Sequence, residues 1–156
     1  MQIEISESPD EADYKILYDA LDAFNDEISG IPDPARKLAL LVRDASGKPI
    51  GGLWAVSYWS WMFVQLLYLA PELRRSGLGS RLLAQAEAVA RRDGCIGIWL
   101  DTFSFQARPF YERHGFREFG RIPDYPPGAA RHFMAKRLDD DEAGKQASVT
   151  AEAVRQ

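Results

Sequence analysis

FVQLLYLAPELRRSGLGSRLL, residues 63–83, predicts a strand, a loop and a helix in succession. From Phe63 to Leu69 every residue except Gln65 is apolar, which is typical of a central strand covered on both faces. Pro71 ends this strand because proline has no N–H to give to a ladder. From Leu78 onwards apolar residues recur at helical spacing, so an amphipathic helix follows the loop.

The loop between strand and helix, Arg74-Arg75-Ser76-Gly77-Leu78-Gly79, contains two glycines. Glycine has no Cβ, so the backbone can approach a ligand closely. The start of the helix adds unpaired N–H groups at the positive end of the helix dipole. Such a loop suits a pyrophosphate, with the two arginines adding charge at its rim. The alternative is an ordinary strand-to-helix turn in which the glycines serve only backbone geometry and the arginines are solvated.

Two motifs resemble one known family. The pattern Arg74-x-x-Gly77-x-Gly79 resembles the Q/R-x-x-G-x-G/A signature of the GNAT superfamily of acetyl-CoA-dependent N-acetyltransferases. The segment 107–116, with Tyr111 followed by Gly115 and Phe116, resembles the family's late motif, in which a tyrosine on a short helix precedes a glycine and an aromatic residue. The motifs occur in the family's order, and the resemblance covers roughly residues 2–138.

The resemblance implies a GNAT-like α/β fold, with a central, mixed, mostly antiparallel β-sheet of about seven strands flanked by helices. The element order read from the sequence, β-α-β-β-β-α-β-α-β-β, favours a mixed sheet because strands and helices do not alternate regularly. The first strand is predicted at Gln2–Ser6, and a loop-rich connection begins at Asn25. Residues 1–138 are interpreted as the N-acetyltransferase domain, and residues 139–156 as an acidic C-terminal tail that is expected to be mobile.

By the same resemblance, the loop holds the pyrophosphate of coenzyme A and the end of the central strand holds the pantetheine arm. The cofactor-binding residues predicted in this way are Leu67, Leu69, Arg74, Arg75, Ser76, Gly77, Leu78, Gly79, Ser80 and Ser104. Ser104 stands where family members often have an asparagine that contacts the coenzyme. A serine there can donate a hydrogen bond, or it can cap the following helix.

Tyr111 is the predicted catalytic residue. An unperturbed tyrosine has a pKa of about 10, so its phenol is protonated at neutral pH and can donate to a departing thiolate. This is the role that the resemblance implies. The alternative is a half-buried tyrosine that only packs beside Phe110 and Phe116.

The predicted function is acetyl-CoA-dependent transfer of an acetyl group onto a primary amine of a small molecule or peptide, by direct attack of the amine on the thioester. The alternative is an acyl-CoA-binding sensor or regulatory module with little catalytic activity. A dinucleotide-dependent oxidoreductase is disfavoured, because only two of the three fingerprint glycines are present. The sequence identifies no general base, and the candidate carboxylates are Glu72, Asp101 and Asp124.

Composition argues against several other classes of protein. The chain has 156 residues and a formal net charge of −4, much of it in the tail, so no broad basic surface for nucleic acid is expected. A single cysteine and two histidines outline neither a disulfide nor a metal site. The longest apolar run, Trp61–Ala70, is too short to span a bilayer, and the N-terminus lacks a signal-peptide pattern. We therefore expect a cytoplasmic protein with no metal, nucleic-acid or membrane partner; a homodimer is possible because this fold commonly dimerises.

Overall fold

The computed structural model describes residues 2–32 and 34–139. The acidic tail beyond Asp139, with its expected mobility, lies outside the described residues. The chain divides into two units, Met1–Pro34 and Ala35–Gln156.

The first unit contains one helix, α1 (Glu11–Ser29). Its N-cap is Asp10, whose Oδ1 accepts a hydrogen bond from the backbone N–H of Ala12 at 2.9 Å. The helix ends where Gly30 adopts a left-handed conformation, φ 65°. The prediction of a loop from Asn25 was therefore wrong, because nothing before Gly30 interrupts the helix. The strand predicted at Gln2–Ser6 was also wrong, since residues 2–6 form neither helix nor strand. Their alternating pattern would give a strand one apolar face, but a strand also needs a neighbouring strand to pair with.

The second unit is built on one mixed sheet. Its strand order is β1-β2-β3-β4-β6-β5, and only the β3–β4 pair is parallel. The strands are β1 (Arg36–Arg43), β2 (Pro49–Tyr58), β3 (Trp61–Leu69), β4 (Gly97–Phe103), β5 (Arg117–Pro123) and β6 (Ala130–Arg137). Helix α2 (Leu78–Arg92) joins β3 to β4, and helix α3 (Arg108–Arg113) joins β4 to β5. The mixed, mostly antiparallel sheet is confirmed, with six strands in the described residues rather than about seven.

Helix α2 supplies one layer of the core. Its buried residues, Leu82, Leu83, Ala86 and Ala90, recur every three to four positions and form one stripe. This stripe belongs to the same buried cluster as Leu53, Val64 and Ile98 of the three central strands. The cluster holds the start of α2 beside the end of β3. Among the described residues, no helix is both long and apolar enough to cross a bilayer.

Candidate active site

The parallel strands β3 and β4 separate along their length. Their ladder runs only from Trp61–Gly97 to Val64–Leu100, although β3 continues to Leu69 and β4 to Phe103. The separation begins at a β-bulge in β3, where Trp54 of β2 faces Leu66 and Ala55 faces Val64. Gln65 is thus one extra residue, and such a bulge bends its strand. The result is an open split between two central strands.

Backbone donors of β3 point into this split. The N–H of Ala70 donates to the carbonyl oxygen of Ile50 in β2 at 3.0 Å. Because backbone groups alternate along a strand, Tyr68 and Leu66 also face β2, whereas Leu67 and Leu69 face the other way, towards the split. The prediction that the end of the central strand offers backbone donors therefore has a geometric basis in the bulge and the alternation.

The glycine loop turns directly into α2. Gly77 is the N-cap residue and has a left-handed backbone, φ 83°. The first intrahelical bond runs from the N–H of Arg81 to the carbonyl oxygen of Gly77 at 3.1 Å. The N–H groups of residues 78–80 precede it, so they have no acceptor within the helix, and that of Leu78 makes one long hydrogen bond of 3.5 Å to Oγ of Ser76. A Cβ on Gly77 would meet nothing within 4 Å, so the space beside this glycine is open.

Gly79 brings three elements together. A Cβ at this position would lie 3.4 Å from Cζ of Phe110 in α3 and 3.8 Å from Cδ1 of Leu69 in β3. The small residue thus lets the start of α2 approach both the end of β3 and the helix that carries Tyr111. Its neighbour Ser80 is half-buried in the same first turn of α2.

The two arginines of the loop have different surroundings. Arg74 is exposed, but its Nε donates to the carbonyl oxygen of Leu69 at 3.0 Å and its guanidinium lies 6.0 Å from the ring centre of Tyr68. Arg75 is exposed and has a positive φ of 62°, which is uncommon for a residue with a side chain. Ser76 Oγ donates to the carbonyl oxygen of Leu73 at 2.6 Å, which fixes the turn before the helix.

Tyr111 is buried on α3, with only 7% of its surface exposed. Its ring packs edge-on against Phe110 and Phe116. Burial, and secondly the negative charge of Asp101, raise the pKa of Tyr111 to about 12. The hydroxyl forms no side-chain hydrogen bond with the part of the chain that the structure describes. Within residues 2–32 and 34–139 the phenol is therefore a protonated donor without a side-chain or backbone acceptor.

Ser104 lies just after β4, and its hydroxyl already has protein partners. Its Oγ accepts the N–H of Ala130 at 3.0 Å and lies 3.0 Å from Nε2 of His132. The interpretation of Ser104 as a helix cap was wrong: the N-cap of α3 is Ala107, and no side chain caps it. Ser104 is an exposed residue, and its contact with the coenzyme stays a prediction.

Asp101 is held in an ion pair that the sequence did not reveal. Arg131 donates to both of its carboxylate oxygens, Nε to Oδ1 at 2.7 Å and Nη2 to Oδ2 at 2.8 Å. The Arg131 guanidinium also lies 5.6 Å from the ring centre of Phe103, 5.4 Å from that of Tyr125 and 5.7 Å from that of Phe133. The bidentate bond to Asp101 raises the pKa of Arg131. Only the cross-strand pairing of β4 with β6 could have revealed this cluster.

The other two candidate bases, Asp124 and Glu72, lie in loops or turns. Asp124 accepts the N–H of Gly128 at 3.4 Å within the β5–β6 loop, and Glu72 is exposed on a short 3-10 turn, Pro71–Leu73. Among the described residues, no group of three or more His, Cys, Asp or Glu side chains could hold a metal ion.

The site thus offers backbone donors and one phenol. These are the groups by which an acyl-transfer enzyme stabilises an oxyanion and protonates a leaving group.

Comparison with known proteins agrees with that class. The chain is 48% identical over 93 residues to a blasticidin-S acetyltransferase of Streptomyces morookaense, covering 59% of this chain and 68% of that protein. It is 33% identical over 138 residues to an acetyltransferase of Agrobacterium fabrum, covering 88% of this chain and all of that one. The crystal structure of an acetyltransferase from Agrobacterium tumefaciens matches with a TM-score of 0.83 at 32% identity, covering 88% of this chain and 100% of that chain.

The acetyltransferase (GNAT) family profile matches residues 3–116. This chain belongs to the GNAT acetyltransferase family, and it is an acyltransferase. GNAT acetyltransferases use acetyl-CoA.

Proposed function

We propose that this protein transfers the acetyl group of acetyl-CoA to a primary amine of a small molecule, within the split between β3 and β4. The observation that carries the proposal is Tyr111, a buried phenol with a raised pKa and no side-chain hydrogen bond to the described residues, on the helix packed against the start of α2 and the end of β3.

The loop and the first turn of α2 fit a coenzyme. The N–H groups of Leu78, Gly79 and Ser80 and the open space beside Gly77 suit the pyrophosphate, with Arg75 at the rim. Leu67 and Leu69 present their N–H groups to the pantetheine arm and to the thioester oxygen, where negative charge develops during attack. Acetyl-CoA supplies the thioester that a neutral amine attacks directly.

Tyr111 completes the transfer as general acid. Its phenol donates a proton as the carbon–sulfur bond breaks, so that sulfur leaves as a thiol rather than as a thiolate. The amine loses one proton to water on its way to the amide, and the phenol regains one from water. No carboxylate is placed as a base in the described residues, so the acceptor enters as the neutral amine or loses its proton to solvent.

The acceptor side favours a small molecule. Asp101, Phe103, Arg131 and Phe133 share one face of the sheet, where the charge of Asp101 is balanced by Arg131. This face therefore offers aromatic surface and a neutral charge pair rather than a free acidic groove, which suits a compact amine with a flat or apolar part. A relative that is 48% identical is named for blasticidin-S, which supports the same class of acceptor.

The experiment combines binding and turnover on the full chain. Thermal unfolding is followed with acetyl-CoA, coenzyme A and NADH in parallel wells, and thiol release is then measured with aromatic small-molecule amines, polyamines and lysine peptides. We expect stabilisation by both coenzyme A forms but not by NADH, and thiol release that depends on a small-molecule amine. Stabilisation without release from any amine would favour the sensing module, and absence of stabilisation would refute the site.

A further inference from the structure

A chain of hydrogen bonds connects three strand ends through one buried histidine. His132 of β6 is only 4% exposed. Its Nε2 lies 3.0 Å from Oγ of Ser104, directly after β4, and its Nδ1 lies 2.8 Å from Oε2 of Glu118 in β5. Neither His132 nor Glu118 was predicted to belong to the site. His132 lies 28 residues after Ser104 in the sequence, and Glu118 lies 14 residues before His132, so no local motif links them.

The partners of His132 determine where its protons lie. An ionised carboxylate can only accept, so Nδ1 must carry a proton that it donates to Glu118. In the neutral imidazole Nε2 is then an acceptor, and the hydroxyl of Ser104 donates to it. Ser104 Oγ accepts the N–H of Ala130 at 3.0 Å with one lone pair. Its second lone pair is directed to none of these partners, and the Ser104 side chain is exposed.

Protonation of His132 reverses the bond to Ser104. Nε2 then carries a proton and donates to Oγ, which uses the second lone pair of the hydroxyl. The hydroxyl proton can turn to the carbonyl oxygen of Ala130, 3.2 Å away. The heavy atoms keep their places, but Ser104 loses its capacity to accept a hydrogen bond from a ligand.

The charged and titratable groups around His132 come from two neighbouring elements. In β5, Glu118 binds the ring and Arg121 is the cross-strand partner of His132. In α3, Arg108 Nη1 lies 3.4 Å from Oε2 of Glu118, and Tyr111 lies one turn further on. The partner of His132 in β4 is the neutral Thr102. Glu118 therefore joins the histidine to the first turn of the helix that carries the catalytic phenol.

We propose that His132 is a positioning residue that controls a coenzyme contact at Ser104. While His132 is neutral, Ser104 accepts a hydrogen bond from an amide N–H of the pantetheine arm; when His132 is protonated, this contact is lost. The inference rests on the proposed function, because Ser104 can meet an amide N–H only when coenzyme A lies in the split.

The coupling has a definite sign. A ligand that needs neutral His132 lowers the pH at which that ring titrates, and by reciprocity coenzyme A binds more weakly once the ring is protonated. One hydrogen bond of ordinary strength corresponds to about three- to tenfold in coenzyme affinity.

The test is an NMR titration of the two histidine rings in the full chain, with and without coenzyme A. Long-range proton–nitrogen spectra report the tautomer, and His132→Asn identifies the His132 signals. We expect a neutral ring with its proton on Nδ1 and a lower titration midpoint with coenzyme A. In Ser104→Ala the midpoint shift should disappear. His114, whose Nδ1 lies 2.8 Å from the carbonyl oxygen of Phe110, is the internal reference.

The outcomes separate this inference from the proposed function. If coenzyme A stabilises the protein and the His132 midpoint does not move, the control at Ser104 is overturned while the acetyltransfer site stands. If coenzyme A does not bind, the proposed function and the inference fall together. Intact-mass spectra of the protein and of Ser104→Ala after incubation with acetyl-CoA test a third possibility. An added acetyl group that is missing in Ser104→Ala would make this serine a nucleophile and overturn the positioning role.

A pair of substitutions measures the positioning directly. His132→Asn retains a donor near Glu118 but no longer reaches Ser104, whereas His132→Gln reaches towards Ser104 without the fixed ring. We expect both to raise the KM for acetyl-CoA by about three- to tenfold at neutral pH and to abolish its pH dependence. Retention of the pH dependence in a folded variant would contradict the role of His132.

Discussion

The two walls of the split are made from different parts of the polypeptide. The wall formed by residues 61–80, from β3 to the first turn of α2, presents backbone N–H groups, and we call it the backbone wall. The opposite wall, formed by β4, α3 and β6, presents side chains held by long-range hydrogen bonds, such as Asp101 to Arg131 and Ser104 to His132. We call it the side-chain wall.

This difference assigns different tasks to the walls. Backbone donors cannot be titrated or removed by a change of side chain, so the backbone wall suits recognition of a constant group, the coenzyme. The side-chain wall contains Tyr111, the proposed general acid, and its environment raises the pKa of this phenol. Substitutions in the backbone wall should therefore change coenzyme affinity, whereas substitution of Tyr111 in the side-chain wall should change turnover.

The largest expected effect is on Tyr111. Tyr111→Phe removes the acid and leaves the ring packing, so we expect kcat to fall by about a hundredfold to a thousandfold. Coenzyme A affinity, measured by calorimetry, should stay within about twofold, because general acid catalysis acts on the transition state. Tyr58→Phe, at an exposed tyrosine that ends β2, is the control. Equal losses of affinity and turnover would mean that Tyr111 only binds or packs.

The raised pKa of Tyr111 also predicts alkaline behaviour. Below pH 10 the phenol is neutral in both folded and unfolded chains, so it adds no pH dependence to stability. Between pH 10 and 12 only the unfolded chain loses this proton, and the free energy of unfolding should fall by up to about 3 kcal/mol from this group. Urea unfolding of the protein and of Tyr111→Phe over this range gives the difference. Parallel pH curves for the two proteins would show that burial does not hold the phenol neutral.

The Asp101–Arg131 pair tests how the side-chain wall is held. Arg131→Met leaves a largely buried carboxylate without its bidentate partner, which should cost about 2 kcal/mol in urea unfolding. The double variant Asp101→Asn with Arg131→Met should recover part of this loss, because no uncompensated charge remains. Arg92→Met, at an exposed arginine paired with Asp93, should change stability by no more than about 0.5 kcal/mol. A double variant less stable than the single one would contradict the charge argument.

The smallest effect concerns the charge at the backbone wall. Asp and Asn have the same shape and both tolerate the left-handed conformation of Gly77 better than other residues. Gly77→Asp should therefore bind coenzyme A about tenfold more weakly than Gly77→Asn, because only the former places a negative charge at the helix start. Equal coenzyme A affinities of Gly77→Asp and Gly77→Asn at low salt would show that the pyrophosphate does not bind at this loop.

The walls also differ in how far the sequence predicted them. The apolar run of β3, the proline after it and the two glycines are local signals, so the strand, the loop and α2 were predicted close to their observed positions. The bulge at Gln65 was not predicted, because a single polar residue in an apolar strand has several explanations. In the side-chain wall, Asp101 and Arg131 are 30 residues apart, and only the register of β4 against β6 brings them together.

The errors in the first unit have a similar cause. Residues 2–6 alternate like a strand, but alternation fixes only which side chains share a face, and pairing depends on a partner elsewhere. The acidic residues near Asp26 suggested a loop. The helix α1 instead continues past them and ends at Gly30, which adopts the left-handed conformation. Tyr111 was singled out through its motif, whereas its raised pKa depends on burial against Phe110 and Phe116 and on the charge of Asp101.

The most direct test of the central claim is a crystal structure of the full chain with coenzyme A. We predict that the pyrophosphate accepts hydrogen bonds from the N–H groups of residues 78–80. The pantetheine arm should lie between β3 and β4, with the N–H groups of Leu67 and Leu69 donating to it and its sulfur within reach of the Tyr111 hydroxyl. Coenzyme A bound away from the split, or a sulfur beyond the reach of Tyr111, would contradict the account.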